Sequence, residues 1–338
     1  MEWNGPLDVN TTCNAPFISP KIYMKKIILP FALLSALSFA QIAAAQSNVT
    51  VYGSIDLGVG RNIGDDHYSM MQGAASRLGF KGQEDLGGGL KASFHLQHRY
   101  QADTGAPTNA TKFWHADSWV GLEGSYGQVR LGRMFTPSYQ YVMLPADVFE
   151  HSRVSSNITT QTGGKSGAST SPYRFDNGIN YNIQRGGFRL GVTFAPNEDV
   201  PGAKNAYSAA ASYASGKFYV AAGTESQSKE HTSWNTVTAH WGDQSLKVRG
   251  FYGAGKNIDN QSIRSYSVGA SGKVGIGTLK ASYARMDNRD LNTKVQDKFA
   301  LGYYYALSKR TTVYTDIAHD RAFTSNRNGF DVGMMHWF

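Results

Sequence analysis

Residue types that perform covalent chemistry occur in this chain, but not at working spacings. Its nine histidines are dispersed, and a single cysteine, Cys13, leaves no disulfide framework and no thiolate metal site. A nucleophilic serine lifted out of a strand-to-helix turn needs Gly-x-Ser-x-Gly, and a pair of zinc ligands on one helix face needs His-Glu-x-x-His; neither occurs. Gly163-Gly164-Lys165-Ser166 resembles the end of a phosphate-binding loop, but the position five before Gly164 is Thr159 where that loop needs a glycine. What remains is a site assembled from residues distant in sequence, such as His95 or His151 with Asp and Ser, as in a hydrolase built on a barrel rim. The expectation is therefore no enzyme, no cofactor and no metal. The 33 Lys and Arg against 25 Asp and Glu are spread along the chain. Without clustering they make no nucleic-acid surface.

The elements that must position these residues read clearly. Met24-Lys25-Lys26, the apolar run from Ile27 to Ala40 and Ala43-Ala44-Ala45 form a basic start, an apolar middle and a small-residue cleavage site, the pattern of a secretory signal over residues 24–45. Pro30 and Gln41 interrupt the run, which argues against a spanning helix. Residues 1–23 precede this complete signal, read as an extension from an upstream start, and are set aside. Removing residues 1–45 takes away three lysines and two acids and leaves a net charge of +7.

From residue 46 onward the period is two. Val49, Val51, Ile55, Leu57 and Val59 share one parity, and Thr50, Ser54 and Asp56 the other. Leu90, Ala92, Phe94 and Leu96 alternate with Lys91, His95, Gln97 and Arg99, and Phe299–Leu307 and Phe330–Phe338 repeat the pattern. Each strand is about ten residues, longer than the 5–6 typical of soluble sheets. Short turns at 85–89, 124–127, 185–187, 215–217, 242–245, 275–277 and 308–310 alternate with longer polar stretches at 60–75, 101–111, 135–172, 196–204, 226–233, 256–263, 288–296 and 321–327. That alternation requires sixteen strands and predicts an all-β antiparallel transmembrane barrel with short turns on one side and long loops on the other. Only a closed barrel satisfies every backbone group in hydrocarbon, and sixteen strands enclose an aqueous lumen that the polar parity can face. Tyr52, Tyr100, Tyr181, Tyr213, Tyr303 and Trp337 near strand ends suit interfacial girdles. The alternative, a secreted β-sandwich, would show turns every 8–12 residues on both sides.

Several segments resemble the Gram-negative porins of betaproteobacteria: Val49-Thr50-Val51-Tyr52-Gly53 with Asp56, Ser76 through Ala92 including Glu84-Asp85-Leu86-Gly87-Gly88-Gly89-Leu90, Val120-Gly121-Leu122, Gly127 through Arg133, and Val332 through Phe338. The resemblance spans residues 46–338 and implies a trimeric outer-membrane pore for passive diffusion of ions and small polar solutes. It also implies contact with outer-membrane lipid and lipopolysaccharide, and a terminal Phe338 read by the barrel-assembly machinery. A dedicated uptake channel or an adhesin on the same barrel is the alternative. By the resemblance, residues 135–172 are a constriction loop folded into the lumen. The loop carries Asp147 and Glu150, with His151, Arg153 and Lys165, and faces wall arginines at Arg77 and Arg174, with Arg133 as a further candidate. Arg77 and Arg174 could instead serve as lumen ion pairs with Glu84 or Asp176. A third wall arginine expected of the family is Ala116 here, which sets a weaker anion preference against the net positive charge.

Overall fold

The computed structural model describes residues 48–338 except 75, 151–153, 165–168, 199–203 and 228–231. The signal segment, the extension before it, Cys13, His151, Arg153, Lys165 and Ser166 lie outside the described residues. Seventeen strands run in chain order: β1 Asn48–Arg61, β2 Ser69–Met71, β3 Arg77–Gly87, β4 Leu90–Arg99, β5 Asp117–Gly124, β6 Gly127–Phe135, β7 Arg174–Arg185 and β8 Phe188–Ala195. They continue as β9 Ala206–Ser215, β10 Phe218–Ser226, β11 Ser233–Gly242, β12 Leu246–Lys256, β13 Ser262–Val274, β14 Gly277–Asn288, β15 Thr293–Ala306, β16 Thr311–Asp320 and β17 Asn328–Trp337.

All pairings are antiparallel between neighbours, and β1 closes the sheet. Its first half, Asn48–Ser54, pairs with β3, and its second half, Ser54–Arg61, pairs with Trp337 through Phe330 of β17. The three residues of β2 pair with Gly58–Gly60, so β2 and β3 are one interrupted stave. Seventeen strands thus make sixteen staves and no free edge, the closure that a hydrocarbon environment demands. At the seam the amides and carbonyls of Gly53 and Phe338 exchange hydrogen bonds of 3.1 Å.

The alternation sorts the two faces. Val49, Val51, Ile55 and Val59 are exposed on the outer wall while Ser54 and Asp56 are buried inside, and a one-residue slip would turn every Val to the lumen. The seven short turns fall where the spacing put them. Gly186, Gly216 and Gly275 hold φ of 57°, 56° and 59° there, a left-handed conformation that glycine adopts without a Cβ penalty. The long connections differ in extent. A bulge at Met286/Asp287 lets β14 and β15 pair out to Asn288 and Thr293, leaving only 289–292 as loop. Conversely, the loop expected at 101–111 runs to residue 116, because beyond Arg99 its ordered pairing is one bridge, Tyr100 to Pro107.

Two girdle assignments are corrected. Tyr52 shares the inward parity of Ser54, and its hydroxyl accepts from Gln97 Nε2 at 2.7 Å. Trp337 shares the parity of Asp331 and lines the lumen under Arg77. Tyr181, Tyr213 and Tyr303 do face outward near the short turns. Tyr303 donates to Val274 O at 2.9 Å and Tyr181 to Tyr126 O at 2.6 Å; each hydroxyl caps a turn carbonyl while its ring lies at the boundary with lipid.

Candidate functional site: the lumen and its constriction

The connection between β6 and β7 turns inward because it is amphipathic in the reverse sense of a surface loop. A π-helical turn Tyr139–Met143, a further turn Leu144–Ala146 and a short helix Ile158–Thr162 bring Tyr139, Tyr141, Val142 and Met143 against Ala210, Ala221, Trp234 and Phe251 of the inner wall. Val148, Phe149 and Val154 pack farther round, on Met71, Ala300 and Ala318. Each such buried side chain contributes about 1.5–3 kcal/mol. Polar anchors fix the path. Thr136 Oγ1 donates to Glu225 at 2.8 Å, Trp234 Nε1 to Gln161 O at 2.7 Å, Tyr219 to Tyr141 O at 2.6 Å and Asn157 Nδ2 to Ser282 Oγ at 3.0 Å. Lys298, buried in β15, donates to the carbonyls of Val154 and Ser156.

The wall is cut to receive this loop. Inward glycines lie under successive loop residues: Gly191 under Pro137 and Tyr141, Gly223 under Ser138, Gly269 under Val148, Gly302 under Phe149 and Gly329 under Val154. They run round the lumen from β8 to β17 in the same order as the loop, so part of the chain's 37 glycines form a seat. Gly269→Leu is expected to push Val148 toward the pore axis and lower unit conductance, with β-content unchanged in far-UV circular dichroism. Unaltered conductance in a folded variant would remove the seat argument.

Beside the loop a cavity of 1520 Å³ runs from Asn62, Ile63 and Phe323 at the long-loop end to Gly275–Thr278 and Trp337 at the short-turn end. Its charged lining is Arg77, Arg99, Arg174, Arg249, Lys273, Lys280 and Lys298 against Asp56, Asp147, Glu150 and Asp320. Arg77 and Arg174 both line this cavity. Arg77 Nη2 donates to Ala74 O at 2.7 Å. Arg174 does not pair with Asp176; its nearest acid is Asp117, 3.7 Å away, and its guanidinium stacks 3.6 Å from the Phe135 ring centroid.

Arg99 joins them. It sits directly across from Arg77 in the β3–β4 ladder, and it faces both Arg77 and Arg174 electrostatically. Like charges placed directly opposite are destabilising, so a water-filled lumen that holds them together concentrates positive potential. Ala116, the position of the missing family arginine, is fully buried. The charge comes instead from β4.

The loop carboxylates Asp147 and Glu150 line the same cavity. Asp147 is buried and accepts from Phe149 N at 3.0 Å and Ser156 Oγ at 3.1 Å, so it shapes the loop. Glu150 is exposed at a left-handed position, φ 53°. Both lie in the field of Arg249 and Lys280, on β12 and β14. Arg133 does not line the cavity. The bulge at Gly132/Met134 turns it to the rim, where it donates to Asp176 at 2.7 Å and to His115 O at 2.5 Å; Lys112 also pairs with Asp176. Arg99, Arg249, Lys280 and Lys298 were not singled out by motif, although inward parity marks each as lumenal.

His115, in the loop before β5, has its imidazole pushed down to about 4 by burial and by the positive field of Arg99 and Arg174. With the unfolded value near 6.5, the neutral ring's contribution to stability is full above pH 6.5 and is lost as pH falls from there toward 4. His115 therefore adds no charge to the mouth between pH 8 and 5. Reversal potential is expected to hold no step from this residue in that window; a step near pH 6.5 that vanishes in His115→Asn would contradict it.

The phosphate-loop likeness dissolves in the structure. Gly163 ends the helix Ile158–Thr162 at φ 69°, and Gly164 N–H donates to Thr159 O at 3.0 Å, so both glycines cap a helix C-terminus. Among the described residues no group of three or more His, Cys, Asp or Glu could hold a metal ion.

A closed sixteen-stave barrel with an apolar outer wall and a charged lumen narrowed by an inward loop defines a water-filled transmembrane channel. A model of the Gram-negative porin family matches residues 32–324, and the chain belongs to that family. Outer membrane porin protein 32 of Delftia acidovorans is 32% identical over 340 residues, covering 92% of each chain. An outer membrane porin protein of Bordetella pertussis is 25% identical, covering 93% of this chain and 100% of that one. Among solved structures, the anion-selective porin from Comamonas acidovorans superposes with a TM-score of 0.73 at 28% identity, over 87% of this chain and 100% of that one. The trimer form of OmpT from Vibrio cholerae, at 15% identity and a TM-score of 0.67 over 86% of this chain and 99% of that one, shares the fold. The protein is an outer-membrane porin, a passive diffusion channel.

Proposed function

We propose that this porin passes ions and small hydrophilic solutes with a preference for anions, set by Arg77, Arg99 and Arg174 on one wall of the neck. The observation that carries the reading is the clustering of these three guanidiniums along one cavity while the loop carboxylates Asp147 and Glu150 lie toward Arg249 and Lys280. A low-dielectric wall around a narrow aqueous path raises the local potential and the local counter-ion concentration. Asp147 and Glu150 lower the net charge of the neck, and Arg133 acts at the mouth. The names of its relatives support the reading, one being an anion-selective porin. A homotrimer, embedded in outer-membrane lipid and lipopolysaccharide, is proposed as the assembled state. Phe338 completes the seam with Gly53 and is proposed as the signal read by the barrel-assembly machinery.

Single-channel current in a planar bilayer under a KCl gradient tests this. Stepwise conductance with an anion-favouring reversal potential supports it. A cation-favouring potential would leave the pore but give the neck to Asp147 and Glu150. A folded, inserted protein without current steps would sink the open channel.

A further inference from the structure

Between the constriction loop and the short turns, the inner wall of β12–β14 gathers four cations round one serine. Lys247 and Lys280 stand directly opposite Ser271 on either side, in the β12–β13 and β13–β14 registers. Lys273 is the next inward residue along β13, opposite Thr278. Arg249, the next inward residue along β12, brings its Nη1 to 3.5 Å from Ser271 Oγ. Lateral and diagonal neighbours on one face of a sheet are separated by about 5–8 Å, so all four side chains reach the space above the serine.

This group is open to the passage. Lys273 is exposed, and Lys247, Arg249, Ser271 and Lys280 are half-buried. Arg249, Lys273 and Lys280 line the large cavity. Among the described residues none of the four cations is in an ion pair. The residues directly opposite Lys247 are Gly242 and Ser271, and the one opposite Lys273 is Thr278, so no cross-strand carboxylate answers these two. Asp147 and Glu150 act on Arg249 and Lys280 from the loop, and Asp316 acts on Lys280 from β16; Lys247 and Lys273 lie nearer the turns.

Like charges packed together on one face cost stability, and a single dianion relieves all of them at once. Convergent N–H donors beside a serine hydroxyl suit a compact oxyanion, which accepts from several directions. Val148, seated over Gly269, closes the patch on the neck side and limits the size of an occupant. We propose that the wall around Ser271 is a binding site for compact divalent oxyanions of the size of sulfate or hydrogen phosphate, separate from the arginine neck. The site rests on the open channel above: it holds a dianion long enough to slow the ionic current, while monovalent anions pass.

Sulfate and methanesulfonate share a tetrahedral head and differ in charge. Mature protein in planar bilayers is read first in a KCl gradient, then with each potassium salt added to both sides at constant ionic strength, which holds screening fixed. Sulfate is expected to halve the unit current at about one tenth of the methanesulfonate concentration. Ser271→Val keeps every charge and removes the hydroxyl, and is expected to narrow that gap about three-fold or more. Lys247→Gln/Lys273→Gln is expected to abolish it, and Arg99→Gln, which alters the neck, to keep it. Far-UV circular dichroism checks that each variant is folded. Equal effects of the two anions on the wild type overturn the site, as does a gap that survives Ser271→Val or the double variant, or one that Arg99→Gln removes. A cation-favouring potential in KCl alone overturns the anion preference of the neck and leaves the sulfate comparison to decide the site; absence of current steps overturns both.

Discussion

Trp234→Ala is expected to enlarge the unit conductance and make the open current noisy. The indole is fully buried in the inner wall of β11, packs on Gly163 and Gly253 and donates to the Gln161 carbonyl at 2.7 Å. It is the wall residue that clamps the C-terminal half of the constriction loop. Truncating a buried Trp costs about 3–5 kcal/mol, and here the loss falls on loop docking, because the β11 ladder to β10 and β12 is made by backbone. The barrel therefore stays closed while residues 158–164 leave the wall. Far-UV circular dichroism checks the first half of that statement, and limited proteolysis within 136–173 with single-channel conductance checks the second. Trp234→Phe separates packing from hydrogen bonding: it keeps most of the ring contact and strands the Gln161 carbonyl, at about 1–3 kcal/mol. Wild-type conductance and protease resistance in Trp234→Ala would show that Lys298, Glu225 and the glycine seat hold the loop without it.

Arg99→Gln is expected to reduce the anion preference about five-fold in permeability ratio. A unit charge within a few ångströms of a permeating ion is worth about 1 kcal/mol in a watery passage and more where the walls exclude water; about 1.4 kcal/mol is a factor of ten. The same substitution also relieves the cross-strand repulsion with Arg77, so the variant is expected to be no less stable than the wild type on heating. That combination, selectivity lost and stability kept or gained, is the signature of a charge retained for function at a cost to the fold. Arg99→Lys should keep most of the preference. Reversal potentials measured across a KCl gradient decide it. An unchanged potential in Arg99→Gln would return the selectivity to Arg77 and Arg174 alone.

Much of this was legible in the chain because a membrane barrel writes its rules locally. Alternate residues of Val49–Val59 meet lipid and water, so their types alternate, and the turns at Gly186, Gly216 and Gly275 carry the glycine that a left-handed residue requires. The family motif assigns Arg77 and Arg174 to the lumen wall, and both line the cavity. It placed Arg133 there as well, but a bulge one residue away rotates that side chain to the rim, and nothing in Gly127–Arg133 announces the bulge. Tyr52 and Trp337 went to the wrong face when judged by proximity to strand ends. Their parity, inward with Ser54 and Asp331, was the better guide.

Stave number, the order of neighbours and the face each strand turns to lipid follow from the sequence, since period and turn spacing are properties of consecutive residues. Which charges share the neck does not. Arg99 meets Arg77 through the β3–β4 register, and Asp147 and Glu150 reach the field of Arg249 and Lys280 through a loop seated on five glycines from distant strands. Electrostatic potential depends on distances between side chains, and those distances are set by closure of the barrel and packing of the loop.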